Sequence, residues 1–338
     1  MNIYNKEGYL DIDSIYNAGF TYNYIISGKG FGKTYSLLDF YRREKKFFML
    51  VRRQQSQLDA ICTEITNPFK DINMDKNCNI AVEKVNKYVA GFFDVDTSVQ
   101  IGVGVALSTF SQIQGFSGRT VTDIFYDECV PPLNCRRFKG ESDAPWILYD
   151  TVNRNRELNG EPPVKMFLCG NPFNIAAPAL TSTGIVTMLD DMRTKNQIYR
   201  QDKKRGLQVL TLGAESPIAQ KKKKTALARL MKGTGFADFC FDNEFVYQEK
   251  TRIAHRNLIE YKPIVFVGEI AIYRHKSRDI YYCCDHRSGT APEYETGTKS
   301  LDAFRRTYAH LWIAMLYGKF EYNKTISEVL LTEYFKTL

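Results

Sequence analysis

One stretch constrains this chain more than any other: Tyr24-Ile25-Ile26-Ser27-Gly28-Lys29-Gly30-Phe31-Gly32-Lys33-Thr34. An apolar run passes into a glycine-rich turn, and Lys-Thr then opens a segment with helical spacing. That order is the grammar of a phosphate-binding P-loop, G-x-x-x-x-G-K-[ST]. Backbone N–H groups of such a loop, with the positive end of the helix behind it, wrap a polyphosphate. Lys33 supplies a point charge toward the β- and γ-phosphates, and Thr34 a hydroxyl for Mg²⁺. Ser27 stands where the pattern has its first glycine, while Gly28, Gly30 and Gly32 keep the loop permissive. Lys29 and Phe31 complete it. The implied ligand is a nucleoside triphosphate, ATP, with Mg²⁺.

The neighbouring segments extend this into a sheet. Tyr22–Ile26 reads as a strand, and Ser36-Leu37-Leu38-Asp39-Phe40-Tyr41 as the following helix, with apolar residues at i, i+3 and i+4. Lys46-Phe47-Phe48-Met49-Leu50-Val51 is a continuous apolar run ending in Arg52-Arg53, as in strands buried on both faces of a parallel sheet. Strand, loop, helix, strand is a βαβ unit. Residues 78–108 alternate and predict a small antiparallel hairpin inserted in the sheet. Val121–Tyr126 and Val164–Gly170 predict two further central strands, with a helix over Ala144–Leu158 between them. The class expected is α/β, with a mostly parallel central sheet.

A P-loop needs an acidic partner to become a hydrolysis site. Ile124-Phe125-Tyr126-Asp127-Glu128 supplies it at a strand tip, where ligands bind in open α/β folds. Asp127 holds Mg²⁺ through its water shell, and Glu128 orients the attacking water. On its own, Asp-Glu after an apolar strand is more often a solvated turn. Asn171, after Cys169-Gly170, is a candidate contact to the γ-phosphate or the water, or else a turn residue before Pro172. Lys29 points to a phosphate of its own site or of a neighbour's. Arg119 lies in the loop that feeds the acidic strand and touches nucleotide or a neighbouring subunit. Arg154 and Arg156, in Asp150-Thr151-Val152-Asn153-Arg154-Asn155-Arg156-Glu157, are candidates for the positive charge that phosphoryl transfer needs, or a salt-bridged helix end.

Composition narrows the setting. Lys and Arg total 46 against 38 Asp and Glu, a net +8 that favours a polyanionic partner. No apolar run approaches the ~20 residues of a membrane span, and the first residues lack the apolar core of a signal peptide. The expectation is a cytosolic protein with no membrane partner. The eight cysteines show no C-x-x-C pair and the four histidines no H-x-x-x-H pair, so a zinc site is not expected. Domains are expected at 1–205 (P-loop domain), 206–236 (linker subdomain, with Leu207–Leu212 as a short strand between basic clusters) and 237–338. In the last, Ile264–Val267, Ile270–Tyr273 and Asp279–Cys284 predict a β meander, and Asp302–Tyr317 a helix. Lys221–Lys224 is a solvated run, or a sequence-independent contact to nucleic-acid phosphate.

With these motifs in place, the chain resembles the DNA-packaging ATPases (encapsidation proteins) of small tailed phages of the phi-29 type. These are short relatives of terminase large subunits in the FtsK/HerA-like branch of ring ATPases. The resemblance spans nearly the whole chain. It rests on the P-loop with Lys29, on Tyr126-Asp127-Glu128, and above all on Asp150-Thr151-Val152-x-Arg154-Asn155-Arg156-Glu157. Arg229-Leu230-x-x-Gly233-Thr234 and Asp242-Asn243-x-Phe245 match the junction to the C-terminal domain. The resemblance implies a motor that drives double-stranded DNA into a preformed procapsid. It implies a homomeric ring, a pentamer, docked on the portal, with a structural RNA as a possible bridge, in the host cytoplasm. It also implies that Arg154 acts as an arginine finger in the neighbouring subunit's site. The C-terminal domain is then expected to be an RNase H-like, vestigial nuclease that binds DNA. Its acidic residues Glu269, Asp279 and Asp285 form no evident cluster in a strongly basic context. A terminase with an active nuclease and a nucleotide-gated clamp with little turnover are the alternatives.

Overall fold

The computed structural model describes residues 3–6, 8–113, 115–132, 135, 137–212, 216–232 and 253–336. They fall into two compact units. One draws on the described residues within Met1–Pro132, Ala144–Phe173 and Asn196–Val246, the other on those within Leu133–Asp143, Asn174–Lys195 and Tyr247–Leu338.

The first unit is built on a nine-stranded sheet. Its strands are β1 (Tyr22–Ser27), β2 (Phe48–Arg52), β3 (Ile80–Lys84), β4 (Val89–Asp94), β5 (Val99–Ala106), β6 (Asp123–Tyr126), β7 (Lys165–Gly170), β8 (Tyr199–Asp202) and β9 (Leu207–Leu212). Their spatial order is β3-β4-β5-β2-β6-β7-β1-β9-β8. The strands from β5 to β9 run parallel, while β3, β4 and β8 pair antiparallel at the two edges. Among the parallel strands, β2 and β7 carry the unbroken apolar runs. Met49, Leu50 and Val51 of β2 and Phe167, Leu168 and Cys169 of β7 are fully buried, as strands covered on both faces must be. The segment expected as a hairpin over 78–108 forms three strands: β3 and β4 lie at one edge, and β5 enters the parallel part of the sheet beside β2.

Two expectations change here. Leu207–Leu212, read as a linker strand because basic clusters flank it, is a sheet strand paired along its length with β1. Its buried Gln208 donates to the Ile15 carbonyl at 2.9 Å and to Asn23 Oδ1 at 2.5 Å. The helix expected over 144–158 ends at Asn153. Arg154 takes a left-handed φ of 43°, and a short 3₁₀ turn, Glu157–Asn159, follows.

The second unit carries a five-stranded sheet of β10 (Tyr261–Val267), β11 (Ile270–His275), β12 (Tyr281–Cys284), β13 (Glu293–Tyr294) and β14 (Phe320–Tyr322), in the order β13-β10-β11-β12-β14. The expected meander is β10-β11-β12. The single helix expected over 302–317 is two, Thr298–Thr307 and Ala309–Leu316. They part at Tyr308, whose ring packs against Tyr294, Phe304 and His310.

This unit also takes in 133–143 and 174–195, which lie upstream of the expected boundary. Polar contacts hold them there. Glu269 accepts from the backbone N–H of Val186 at 3.0 Å and of Thr187 at 2.7 Å, capping helix Val186–Thr194. Arg137 donates to Glu333 at 2.8 Å, and Asp143 accepts from the Thr298 N–H at 3.1 Å.

Candidate nucleotide-binding site

Strand order builds the site. β7 lies between β1 and β6, and all three run parallel. Their C-terminal ends therefore deliver the P-loop, Asn171 and Asp127-Glu128 to one rim of the sheet, the rim where ligands bind in such folds. A cleft of about 370 Å³ opens there, lined by Lys29 through Tyr35, Asp127, Glu128 and Cys169 through Asn171. That volume is in the usual range for a small-molecule site.

Gly30 and Gly32 hold the loop, with φ of 75° and 82°, values that side chains rarely adopt. Gly32 is the N-cap of helix Lys33–Arg43. Ser27 is different. It is the last residue of β1 and fully buried, and its backbone does not need glycine's freedom. Its hydroxyl is instead an acceptor for Lys33. The sequence departure at this position is therefore a substitution of side chain for no side chain in ordinary strand geometry.

Lys33 is the hub. Its Nζ donates to the Ser27 carbonyl and Ser27 Oγ, both at 2.8 Å, to the Gly28 carbonyl at 3.0 Å and to Asn171 Oδ1 at 3.0 Å. Burial lowers its pKa to about 8, partly offset by Asp127 and other neighbours. A buried ammonium held by neutral oxygens alone is stabilised further by an anion beside it.

Thr34 Oγ1 donates to the Asp127 carboxylate at 3.2 and 3.3 Å. A hydroxyl and a carboxylate within a hydrogen bond of each other form the hard-oxygen pair that suits a hydrated Mg²⁺. Asp127 is buried, and its Oδ1 also accepts from the Glu128 N–H at 3.1 Å. Glu128 has a left-handed φ of 57°, an unfavourable conformation for a side-chain residue, and its own side chain is more than half exposed.

Arg52 was not singled out by sequence reading. It lies at the end of β2, next to β6, and its guanidinium spans the acidic pair. Nη2 is 3.3 Å from Asp127 and Nη1 is 3.4 Å from Glu128. Gln57 Nε2 is 3.5 Å from the same Glu128 carboxylate. The signal for Arg52 was present in sequence: a charged residue closing an otherwise apolar central strand needs a buried counter-charge.

The other candidates sort clearly. Lys29 lines the cleft, with its Nζ 5.8 Å from the centre of the Phe173 ring. Arg154 does not line it. It is exposed, and its guanidinium donates to the Phe116 carbonyl at 2.7 Å and the Thr151 carbonyl at 3.1 Å. Arg156 clasps the loop before β6, donating to the carbonyls of Arg119 and Val121 at 2.6 and 2.7 Å. Gly233, Thr234, Asp242, Asn243 and Phe245 lie outside the described residues.

In the second unit the three acidic candidates are held apart by separate partners. Glu269 caps its helix. Asp279 pairs with Lys319 and Arg274, and Asp285 with Asn323 and Lys324. Among the described residues no group of three His, Cys, Asp or Glu converges to hold a metal ion.

The model of the Podovirus DNA encapsidation protein (Gp16) family matches residues 3–282. This chain belongs to that family. Among its relatives, the DNA packaging protein of Bacillus phage B103 is 23% identical over 340 residues, covering 94% of this chain and 97% of the relative. That of Bacillus phage phi29 is 22% identical over 259 residues, 75% of this chain and 69% of the relative. Two solved structures share the fold. The Phi-28 gp11 DNA packaging motor has a TM-score of 0.63 at 14% identity, covering 98% of this chain and 99% of its own. The bacteriophage Phi-29 viral genome packaging motor assembly has 0.58 at 16%, covering 96% and 99%. No helix among the described residues is long and apolar enough to cross a membrane.

Proposed function

We propose that this encapsidation protein is an ATP-driven motor that moves double-stranded viral DNA into a preformed procapsid. The observation that carries the reading is the convergence of two hydrogen-bonded pairs, Lys33 with Asn171 and Thr34 with Asp127, on the rim where Glu128 also stands.

The P-loop from Ser27 to Thr34 wraps the triphosphate, with Lys33 moving its hydrogen bonds from loop carbonyls to phosphate oxygens. Thr34 and Asp127 hold Mg²⁺, which when bound neutralises charge on the phosphates. Glu128 orients water for attack and takes its proton. Asn171 lies next to Lys33 and reads the terminal phosphate. Arg154, exposed at a helix end and outside its own cleft, enters the site of an adjacent subunit and stabilises charge in the transition state.

Arg154 acting in trans requires an adjacent subunit, read here as a neighbour in a pentameric ring on the procapsid portal, with a structural RNA as a possible bridge, in the host cytoplasm. The net positive charge suits a duplex gripped through its phosphates without regard to sequence. The unit containing β10–β14 is read as a nuclease-like domain that binds DNA without cutting it. Its candidate acids Glu269, Asp279 and Asp285 are each engaged by separate partners.

Mixing subunits tests the trans role. Arg154→Ala and Glu128→Gln proteins, each inactive alone, are combined. Mixed interfaces then hold one intact copy of each residue, and ATP hydrolysis returns. Mixtures as inactive as their components contradict a trans-acting Arg154.

A further inference from the structure

The run Lys221–Lys224 reads in sequence as four equivalent charges. The structure separates them. Lys221, Lys223 and Lys224 are exposed, whereas Lys222 is half-buried and lies on the P-loop. Its Nζ is 5.6 Å from the centre of the Phe31 ring. A Cβ on Gly30 would stand 2.8 Å from that Nζ and 2.9 Å from Cε. Glycine at position 30 thus permits both the turn and the approach of this lysine.

The placement is built in. Helix Pro217–Lys222 starts at Ser216, whose Oγ accepts from the Ala219 N–H at 3.2 Å. Ile218 and Ala219 are buried in the same apolar cluster as Phe31, Leu37 and Leu38. Pro217 packs against Gly8. With its first turn anchored in the core, the helix carries Lys222 on its last turn to the loop. Lys222 also acts on Lys33 as a nearby like charge. Two ammonium groups brought to one loop repel each other, and a polyphosphate between them removes that repulsion.

We propose that Lys222 is a further lysine for the bound polyphosphate, from outside the P-loop, delivered from within the same subunit by helix Pro217–Lys222. The helix follows directly on the segment after β9, so binding of a triphosphate is felt by the chain beyond the sheet. This rests on the P-loop reading above and adds a residue that the P-loop pattern does not contain.

Titration of ATP and AMP against the intact protein with MgCl₂ tests it. Lys222→Ala is expected to weaken ATP binding about tenfold, the loss of one charge-assisted contact, and to leave AMP binding unchanged. Lys222→Arg keeps the charge and stays close to wild type, and Lys224→Ala does likewise. In wild type, ATP protects the amides of 218–230 from hydrogen exchange, and Lys222→Ala abolishes that protection. Wild-type ATP affinity in Lys222→Ala overturns the proposal. So does an equal loss for ATP and AMP, which would mean a loosened loop. If Lys33→Ala loses ATP binding while Lys222→Ala does not, this inference alone falls. If Lys33→Ala also binds as wild type, the P-loop reading falls with it.

Discussion

Lys33 Nζ donates to Asn171 Oδ1 at 3.0 Å, tying the P-loop after β1 to the tip of β7. This bond places Asn171 beside the P-loop lysine, while its own carbonyl accepts from the Phe173 N–H in a turn. Asn171→Asp puts a carboxylate at that spot. The account expects ATP affinity to fall about tenfold or more, because like charge now faces the phosphates. Fluorescence titration with ATP checks this, and unchanged affinity would remove Asn171 from the phosphate side of the cleft.

Arg52 is the counter-charge for two adjacent carboxylates, and its side chain is only 12% exposed. Arg52→Ala leaves Asp127 buried without that partner. The expected loss is about 1–3 kcal/mol of folding stability, read from urea unfolding of the variant. Arg52→Lys should recover only part of it, since an ammonium cannot span both groups as a guanidinium does. A variant as stable as wild type would mean that the guanidinium is not needed at the acidic pair.

Glu269 caps helix Val186–Thr194 from a distant turn, accepting from two N–H groups and the Thr187 hydroxyl. Removing an N-terminal cap of this kind costs about 1–2 kcal/mol. Glu269→Ala should show that loss in thermal melting. Hydrogen exchange should quicken first at Val186 and Thr187. A nuclease role for Glu269 predicts instead a change in Mn²⁺-dependent DNA nicking with stability intact.

Asp123 begins β6 at the far end from the cleft. It is fully buried; its Oδ2 accepts from the Thr122 hydroxyl at 2.6 Å, and among the described residues its Oδ1 makes no hydrogen bond of good geometry. Burial raises its pKa. The sign follows from linkage: above the raised pKa the folded state bears the cost of an ionised buried carboxylate. That cost vanishes toward the acid range, where the group is protonated both folded and unfolded. Asp123→Asn should therefore raise stability at pH 7.5, with the gain shrinking as pH falls toward 4. Urea midpoints at the two pH values measure it, and a gain that grows with acidity contradicts the assignment.

The parts of the fold that were legible in sequence are the local ones. Continuous apolar runs at β1, β2, β6 and β7, the Gly-rich turn, and the alternating β10–β12 meander each declare themselves within a few residues. What escaped is non-local. β9 is flanked by lysines and arginines, and its pairing with β1 on one side and β8 on the other makes it a sheet strand. Segment 174–195 joins the second unit with most of its apolar residues buried and with Glu269, more than 80 residues from Val186 and Thr187 in the chain, capping its helix. Arg52 and Lys222 follow the same rule. Their roles depend on which strand neighbours which, and on where a helix anchored by Ile218 and Ala219 comes to rest. Arg154 shows the opposite limit: its motif stood out in sequence, but a single subunit leaves its guanidinium outside its own cleft.

The central claim is that this cleft hydrolyses ATP in the service of DNA movement. The most direct measurement is steady-state ATP hydrolysis with and without double-stranded DNA, by wild type and by Glu128→Gln, alongside ATP binding by both. The account predicts DNA-stimulated turnover in wild type, and in Glu128→Gln a loss of at least about 100-fold with ATP binding retained. Turnover that ignores DNA, or that survives in Glu128→Gln, would contradict it.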